Sequence, residues 1–198
     1  DQPRAKAVHK QHKAKAEADL WEAAKTRDAA LARASLETGA EVDKVDRLGH
    51  TALHYAASNN AAEIARLLLE SKATVDKAGA KDGWTALIWA CSHNALEVAG
   101  VLLEAKADAN LQAVKDSSTP LGWCAFKDSL EVAELLIESR AAVDGANKEG
   151  CTALHWASER GSCRVARLLL KHGADPDKPN DNGYSPSTQP TASAEVLA

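Results

Sequence analysis

The chain has 198 residues, of which 45% are hydrophobic, 4% aromatic and 26% charged, and its formal net charge is −4. This content allows a sizeable core, built mostly of alanine and aliphatic residues because aromatic residues are few. The weak negative charge argues against nucleic-acid binding. No apolar run reaches the length of about eighteen residues that a membrane-spanning helix needs. Methionine is absent, so we expect a processed or trimmed form.

Residues 1–18 are rich in alanine and lysine, which favours a helix. This basic helical N-terminal extension is interpreted either as a solvated helix or as an arm that binds an acidic partner or an anionic membrane surface. Its basic residues are Arg4, Lys6, Lys10, Lys13 and Lys15. Residues 19–45 have apolar residues at helical spacing and predict a capping repeat that faces water on one side.

A unit of 33 or 34 residues then recurs four times, at 46–79, 80–113, 114–146 and 147–179. Each unit has a threonine suited to cap a first helix and then a leucine-rich segment that predicts a second helix. The threonines are Thr51, Thr85, Thr119 and Thr152. Self-similarity at this period indicates a repeat array. Residues 180–198 begin a fifth unit and lose the pattern, as in a degenerate C-terminal cap and tail.

The unit resembles the ankyrin repeat, whose T-P-L-H-x-A motif precedes a leucine-rich helix; the matching segments here include 51–54 and 152–155. The resemblance covers about residues 19–198. It implies an all-α solenoid of stacked helix-turn-helix units with loop or β-turn fingers. It also implies a non-catalytic protein–protein interaction module or scaffold, which binds a protein partner through its concave face and loop tips.

Three framework positions depart from the family pattern. The family's histidine becomes Ile88 and Gly122 in the second and third repeats, so these repeats should be tied less tightly to the adjoining loops. The third repeat carries serines 117–118 where other loops carry glycine, which puts its loop geometry in question. The second helix ends without the usual glycine at Lys72, Lys106 and Arg140, where left-handed turns would carry a strain of about 1 kcal/mol each.

No residue pattern predicts catalysis. His50 and His54 have a spacing that can bind zinc, but a third ligand is not evident, and no phosphate-binding loop or nucleophile elbow occurs. Cys91 and Cys124 fit a small apolar slot. We therefore expect no enzyme, no cofactor and no metal site. Free thiols favour a reducing intracellular compartment, cytoplasmic or organellar, and a plastid after transit-peptide removal is one such compartment.

Two sets of positions suggest a binding surface. Each unit has an aromatic residue four positions after its threonine, which serves either for packing or as a protein-binding strip. By resemblance, the positions before each threonine and at the end of each first helix lie on the concave face, and Trp84 and Phe126 there have no framework reason to be large. The predicted contact set is His50, Trp84, Trp89, Ser92, His93, Trp123, Phe126, Lys127, Trp156, Glu159, Arg160 and Tyr184.

The second helices carry an outer row that changes sign, from Glu63, Glu97 and Glu131 to Arg164. The row is either a solvated face or a surface that steers two partners. Two other functions stay open. The chain could be an architectural accessory subunit of a large organellar complex, photosynthetic by analogy, and then membrane-associated only through that complex. It could also be a fragment of a larger multidomain protein.

Overall fold

The computed structural model describes residues 2–188, with side chains described from residue 10 onward. Within this range the chain is helical, and a single β-bridge joins Ala146 to Thr152, so the predicted all-α class is confirmed. The helices are α1 Gln2–Thr26, α2 Ala29–Glu37, α3 Ala52–Ser58, α4 Ala62–Glu70, α5 Ala86–Ser92, α6 Leu96–Glu104, α7 Pro120–Lys127, α8 Leu130–Glu138, α9 Ala153–Arg160 and α10 Cys163–Lys171.

The N-terminal helix α1 runs without a break through residues 18 and 19, where the sequence places the boundary between extension and capping repeat. Its alanine, lysine and glutamate residues are good helix formers. Its second half buries Leu20, Ala23 and Ala24 in one cluster with Ala32 of α2. Asp28 caps α2 by accepting from the backbone N–H of Leu31 at 2.9 Å. The extension and the first helix of the cap are thus one helix.

The four repeats stack through their first helices, called here the A helices: α3, α5, α7 and α9 each contact the next. The second helices of the repeats, the B helices, are α4, α6, α8 and α10. One leucine of each A helix and one of each B helix is at most 2% exposed: Leu53, Leu87, Leu121 and Leu154, and Leu68, Leu102, Leu136 and Leu169. Burying each contributes about 1.5–3 kcal/mol.

Two histidines join the first and fourth repeats to the loops that follow them by hydrogen bonds. The Nδ1 atom of His54 accepts from the backbone N–H of Thr51 at 3.0 Å, so Nε2 carries the proton and donates to the Trp84 carbonyl at 3.1 Å. His155 makes the same bonds to Thr152 and Tyr184. Burial lowers the pKa of His54 and of His155, which favours this neutral form. Ile88 and Gly122 carry no side chain able to make such a bond.

Left-handed residues follow the helices of the repeats. The A helices are followed by Asn60, Asn94, Asp128 and Gly161 at positive φ. After the first three B helices come Lys72, Lys106 and Arg140 at φ 69°, 69° and 64°, without the glycine that this conformation favours. Ser117 also has a positive φ, 55°, and so takes the conformation of the equivalent loop glycines Gly49, Gly83 and Gly150. The loop of the third repeat therefore keeps its turn.

The loops between repeats form five fingers, at residues 46–50, 79–84, 113–118, 147–151 and 180–184. Each is closed by a backbone bond from its first residue to its last, for example Asp46 N–H to His50 C=O at 2.9 Å and Gly79 N–H to Trp84 C=O at 2.8 Å. The second and third fingers span one residue more than the others. The extra residue that makes two of the threonine spacings 34 rather than 33 therefore lies in these two fingers.

Neighbouring fingers are joined to one another by backbone bonds. The Ala80 N–H donates to Gly49 C=O at 3.1 Å, and the Asp181 N–H donates to Glu149 C=O at 3.0 Å. The fifth finger also docks on the fourth repeat, because Ser158 Oγ donates to the Pro186 carbonyl at 2.7 Å. Residues up to 188 thus behave as the start of a cap, and residues 189–198 of the predicted tail lie outside the described range.

Candidate protein-interaction face

Tyr55, Trp89, Trp123 and Trp156 each lie four residues after the capping threonine of an A helix. They therefore occupy the same position in successive helices, and stacking brings them into one row. All four are half-buried and pack on the core cluster with one part of the ring. The rest of each ring contributes to the surface beside the fingers.

Trp84 and Phe126 join this row into a continuous surface. The Trp84 ring, from the second finger, lies 5.3 Å from the Trp89 ring and 4.5 Å from the Trp123 ring, measured between centroids. Phe126, at the end of α7, lies 5.4 Å from Trp123 and 5.9 Å from Trp156. We call this set the aromatic strip: Tyr55, Trp84, Trp89, Trp123, Phe126 and Trp156. It holds six of the eight aromatic residues of the chain.

His50 connects Tyr55 to the rest of the strip, since its ring centroid lies 5.9 Å from that of Tyr55 and 5.2 Å from that of Trp89. These contacts bury His50 to 9% exposure. Ser92 is also buried, at 8%, and its hydroxyl donates to the Trp89 carbonyl at 3.0 Å. Both residues were predicted as partner contacts, but they are buried by packing against the strip, so little of either side chain is exposed to a partner.

A row of basic groups borders the strip along the ends of the helices. Lys25 Nζ lies 4.5 Å from the centroid of the Tyr55 ring, and the His93 ring stacks on Trp89 at 5.3 Å. Farther along, Arg160 Cζ lies 4.3 Å and Lys127 Nζ 5.6 Å from the centroid of the Phe126 ring. We call this the basic edge: Lys25, His93, Lys127 and Arg160. Cation–π attraction holds the lysine and arginine groups over the aromatic faces.

Carboxylates border the strip on the finger side, and we call them the acidic edge: Asp46, Asp82, Asp116 and Glu149. Asp46 Oδ2 accepts from the Tyr55 hydroxyl at 2.5 Å, and Asp82 Oδ2 lies 3.5 Å from His50 Nε2. Burial acts to raise the pKa of Asp46, but the bonds from Tyr55 and from the backbone of His50 and Leu48 outweigh it and leave this pKa lowered. Asp46 thus stays ionised and orients Tyr55.

A pocket of about 290 Å³ opens in the strip between the third and fourth repeats. Trp123, Phe126 and Trp156 line it together with Gly122, and Asp116 and Glu149 are the carboxylates of its lining. Sequence reasoning did not connect these two carboxylates, which lie on the fingers, with the strip. The sequence feature that could have revealed this connection is a recurring acidic residue. Three of the five fingers have one just before the residue with positive φ.

The other predicted contact residues lie around these features. Tyr184 is 44% exposed on the fifth finger and has no ring contact with the strip among the described residues. Glu159 is half-buried at the end of α9. In the basic arm, Lys13 Nζ pairs with Glu41 at 2.5 Å and Lys10 and Lys15 are exposed. The side chains of Arg4 and Lys6 lie outside the described residues.

The outer row of the B helices is partly paired between repeats. Arg164 Nε lies 3.1 Å from Asp128 Oδ2, and Arg164 Nη1 lies 3.9 Å from Glu131. The sign change noted in the sequence therefore brings opposite charges together across the last two repeats. Exposed pairs of this kind contribute about 0–1 kcal/mol, so the row has the character of a solvated face.

Two of the four cysteines lie in the core. Cys91 and Cys124 are buried in the core as free thiols, and burial, with a contact to Cys91, raises the pKa of the Cys124 thiol. Among the residues that the structure describes, no group of three or more histidine, cysteine or acidic side chains could hold a metal ion. No helix in the same range is both long and apolar enough to cross a membrane.

Comparison with known proteins agrees with this architecture. A family model for ankyrin repeats matches residues 20–113 and 106–180. The crystal structure of the ankyrin repeat domain of Bcl-3, a member of the IκB protein family, superposes with a TM-score of 0.79 at 30% sequence identity. The match covers 90% of this chain and 79% of the Bcl-3 domain. Comparison with curated proteins finds no match.

Proposed function

The chain belongs to the ankyrin-repeat family, whose domains generally act as protein-interaction modules, and we propose that it binds a protein partner along the aromatic strip. The observation that carries this proposal is the unbroken run of ring contacts from His50 to Trp156. Six large aromatic groups share one face, while the remaining framework is built of alanine and aliphatic residues. Aromatic side chains dominate the binding energy of protein interfaces.

Two of these aromatic residues are not required by the repeat. The third repeat has Ser118 at the position of Trp84, and the first repeat has Ser58 at the position of Phe126. Yet both are half-buried among other rings and so have a fixed orientation. A rigid aromatic surface needs little ordering when a partner binds, which favours affinity.

The two charged edges support a defined orientation of the partner. The strip lies between carboxylates from the fingers and basic groups from the helix ends. A partner segment lying along it would meet an acidic border on one side and a basic border on the other. Such complementarity selects among partners and accelerates association more than it adds affinity. The proposed ligand is therefore a segment of mixed charge with apolar side chains between its charges.

An architectural subunit is the second candidate, and the observation that favours it is the 25-residue helix α1. Its exposed Lys10 and Lys15 provide a second surface on the same molecule. Crosslinking of the protein in its source extract separates the two candidates. One fixed set of crosslinked proteins supports a resident subunit, whereas varying sets support a transient adaptor. The compartment of the protein and its membership of a plastid assembly remain predictions from the sequence alone.

The decisive test is the double variant Trp84→Ala/Phe126→Ala. We expect capture of the partner from source extract to fall at least tenfold, since hot-spot aromatic residues each contribute about 2 kcal/mol or more. Helicity by circular dichroism should be retained because the stack is held by the leucine core. The matched control is Glu70→Ala/Glu104→Ala, which removes two exposed groups from the B helices. Equal capture by wild type and strip variant would disprove the proposal.

A further inference from the structure

The pocket in the strip exists because one repeat lacks a side chain. Gly122 occupies the position that His54, Ile88 and His155 occupy in the other repeats. Where a Cβ atom would stand on Gly122, the nearest atoms are Thr119 Oγ1 at 3.0 Å and Trp156 Cδ1 at 3.5 Å. The missing side chain leaves the volume between Trp123 of one repeat and Trp156 of the next unfilled.

Aromatic rings at steep angles form the walls of this pocket. The planes of Trp123 and Phe126 meet at 66°, and those of Phe126 and Trp156 at 73°. Trp123 is held in place because its Nε1–H donates to Ser118 Oγ at 3.0 Å. A group that enters the pocket therefore meets indole and phenyl faces from several directions. Such walls suit either an apolar group or a cation, since aromatic faces attract cations.

The charges decide between an apolar ligand and a cation. The lining includes the carboxylates of Asp116 and Glu149 and the amide of Asn147, and no basic side chain among the described residues. Phe126 already has the guanidinium of Arg160 over its ring at 4.3 Å, outside the pocket lining. The same ring system thus binds a cation within the chain itself.

We propose that this pocket takes a basic side chain from the partner segment that lies along the strip, arginine in preference to lysine. This inference rests on the proposed function and specifies its partner. The aliphatic stem of the side chain would pack between the indoles, and the cationic end would reach Asp116 and Glu149. Arginine is preferred because its planar, weakly hydrated guanidinium stacks on aromatic faces and donates to two carboxylates at once.

The test uses small probes and the indole N–H signals of the five tryptophans in a two-dimensional ¹H–¹⁵N NMR spectrum. N-acetyl-arginine methylamide, the lysine analogue and the uncharged norleucine analogue are titrated separately into the protein. Arginine should shift the Trp123 and Trp156 signals in a saturable manner, lysine should do so more weakly, and Trp21 should not respond. Equal shifts with norleucine, or no shift with arginine at concentrations up to about 50 mM, would overturn the inference.

Two variants make the result specific to the pocket. Gly122→Ile fills it with the residue that the second repeat has there, where Ile88 N–H still bonds to its capping Thr85 at 3.3 Å. This variant should lose the arginine response. Asp116→Asn/Glu149→Gln keeps the volume and removes the charge, and should weaken arginine binding about three- to tenfold, as for partly exposed charge pairs, without affecting norleucine. A response that survives Gly122→Ile would contradict the proposal.

The outcomes of the two proposals remain separate. Partner capture that depends on Trp84 and Phe126, without an arginine response at Trp123 and Trp156, rejects the pocket and leaves the strip. An arginine response without partner capture rejects the strip as a protein-binding surface and leaves a cation-binding pocket. When both hold, Gly122→Ile should also reduce partner capture, and the arginine residue in the partner is then found by replacing each basic residue of its bound segment.

Discussion

The first and fourth repeats, called the outer repeats, differ from the second and third, called the inner repeats, in their histidine bonds and in the length of their fingers. His54 and His155 bind the fingers that follow the outer repeats, and the fingers at 46–50 and 147–151 have the shorter length. The inner repeats have neither histidine, their fingers are one residue longer, and Ser117 replaces a glycine. Yet Trp84, Trp123, Phe126 and the pocket all belong to these inner repeats or border them.

The proposed binding surface thus lies where the framework is least regular. The loss of a histidine at position 122 removes a bond between repeat and finger, and the same loss creates the pocket. Natural proteins commonly depart from local rules at functional sites and compensate elsewhere. For the third repeat the compensation comes from the ring contact of Phe126 with Trp156, which joins α7 to α9 of the fourth repeat without the histidine bond.

Removing the histidine hydrogen bonds of an outer repeat should cause the largest loss of stability. His155→Ala removes the acceptor for the Thr152 N–H and the donor to the Tyr184 carbonyl, at a site that is 1% exposed. We expect the free energy of unfolding, measured by urea titration, to fall by about 2–3 kcal/mol. Hydrogen exchange should also accelerate in the finger at 180–184.

The control for this variant is Gly122→Ala, the equivalent position of the third repeat, where no such bond exists. Alanine favours the helix by about 1 kcal/mol, but its Cβ would lie 3.0 Å from Thr119 Oγ1. These effects oppose each other, so the net change should stay within about 1 kcal/mol. If both variants lose the same stability, the contrast between outer and inner repeats is wrong.

The pH dependence of stability should also distinguish the outer repeats from the inner ones. Burial lowers the folded-state pKa of His54 and His155 below the ordinary histidine value of about 6.5. Below that value the unfolded chain binds more protons than the folded chain, so stability falls as the pH falls from 7 to 5. Each histidine contributes at most about 1.4 kcal/mol per pH unit. Urea titrations between pH 5 and 8 measure this slope.

The double variant His54→Ile/His155→Ile gives these repeats the residue that the second repeat already has. Its stability should depend less on pH over the same range, although it is less stable at pH 7. Asp46 does not interfere, because its lowered pKa affects stability only as the pH falls below about 4. An unchanged slope in the double variant would show that other groups control the pH dependence.

Features that depend on one repeat could be predicted from the sequence. The period and the capping threonines follow from local chemistry, and the left-handed residues at Lys106 and Arg140 follow from the family resemblance; the structure has all of them. The strip was anticipated as two separate sets, one on the helices and one at the variable positions. Trp84 and Phe126 were identified because nothing in the repeat requires large aromatic residues there.

Features that depend on two repeats could not be predicted in the same way. His50 is at a variable position, and its burial results from Trp89 and Asp82 of the following repeat. The pocket combines Gly122 of the third repeat with Trp156 and Glu149 of the fourth. The spacings of 34 and 33 residues showed that two units are longer. Only the closing bonds of the fingers show where the extra residue lies.

The smallest expected effect concerns the ends of the B helices. Lys72, Lys106 and Arg140 end the first three repeats at positive φ, whereas Gly39 and Gly173 end the capping and fourth repeats. Lys106→Gly and Arg140→Gly should each stabilise the chain by up to about 1 kcal/mol, because glycine adopts this conformation without steric strain. The gain is partly offset by the greater flexibility of glycine in the unfolded chain.

Gly173→Ala is the matched reversal of this change. A Cβ on Gly173 would meet no atom within 4 Å, so any loss of stability comes from the backbone conformation alone, and we expect about 1 kcal/mol. Urea titrations of the three single variants measure the effects side by side. If Lys106→Gly and Arg140→Gly destabilise the chain while Gly173→Ala does not, the side chains at these turns contribute more than the strain removes, and the inner repeats are not softened by their missing glycines.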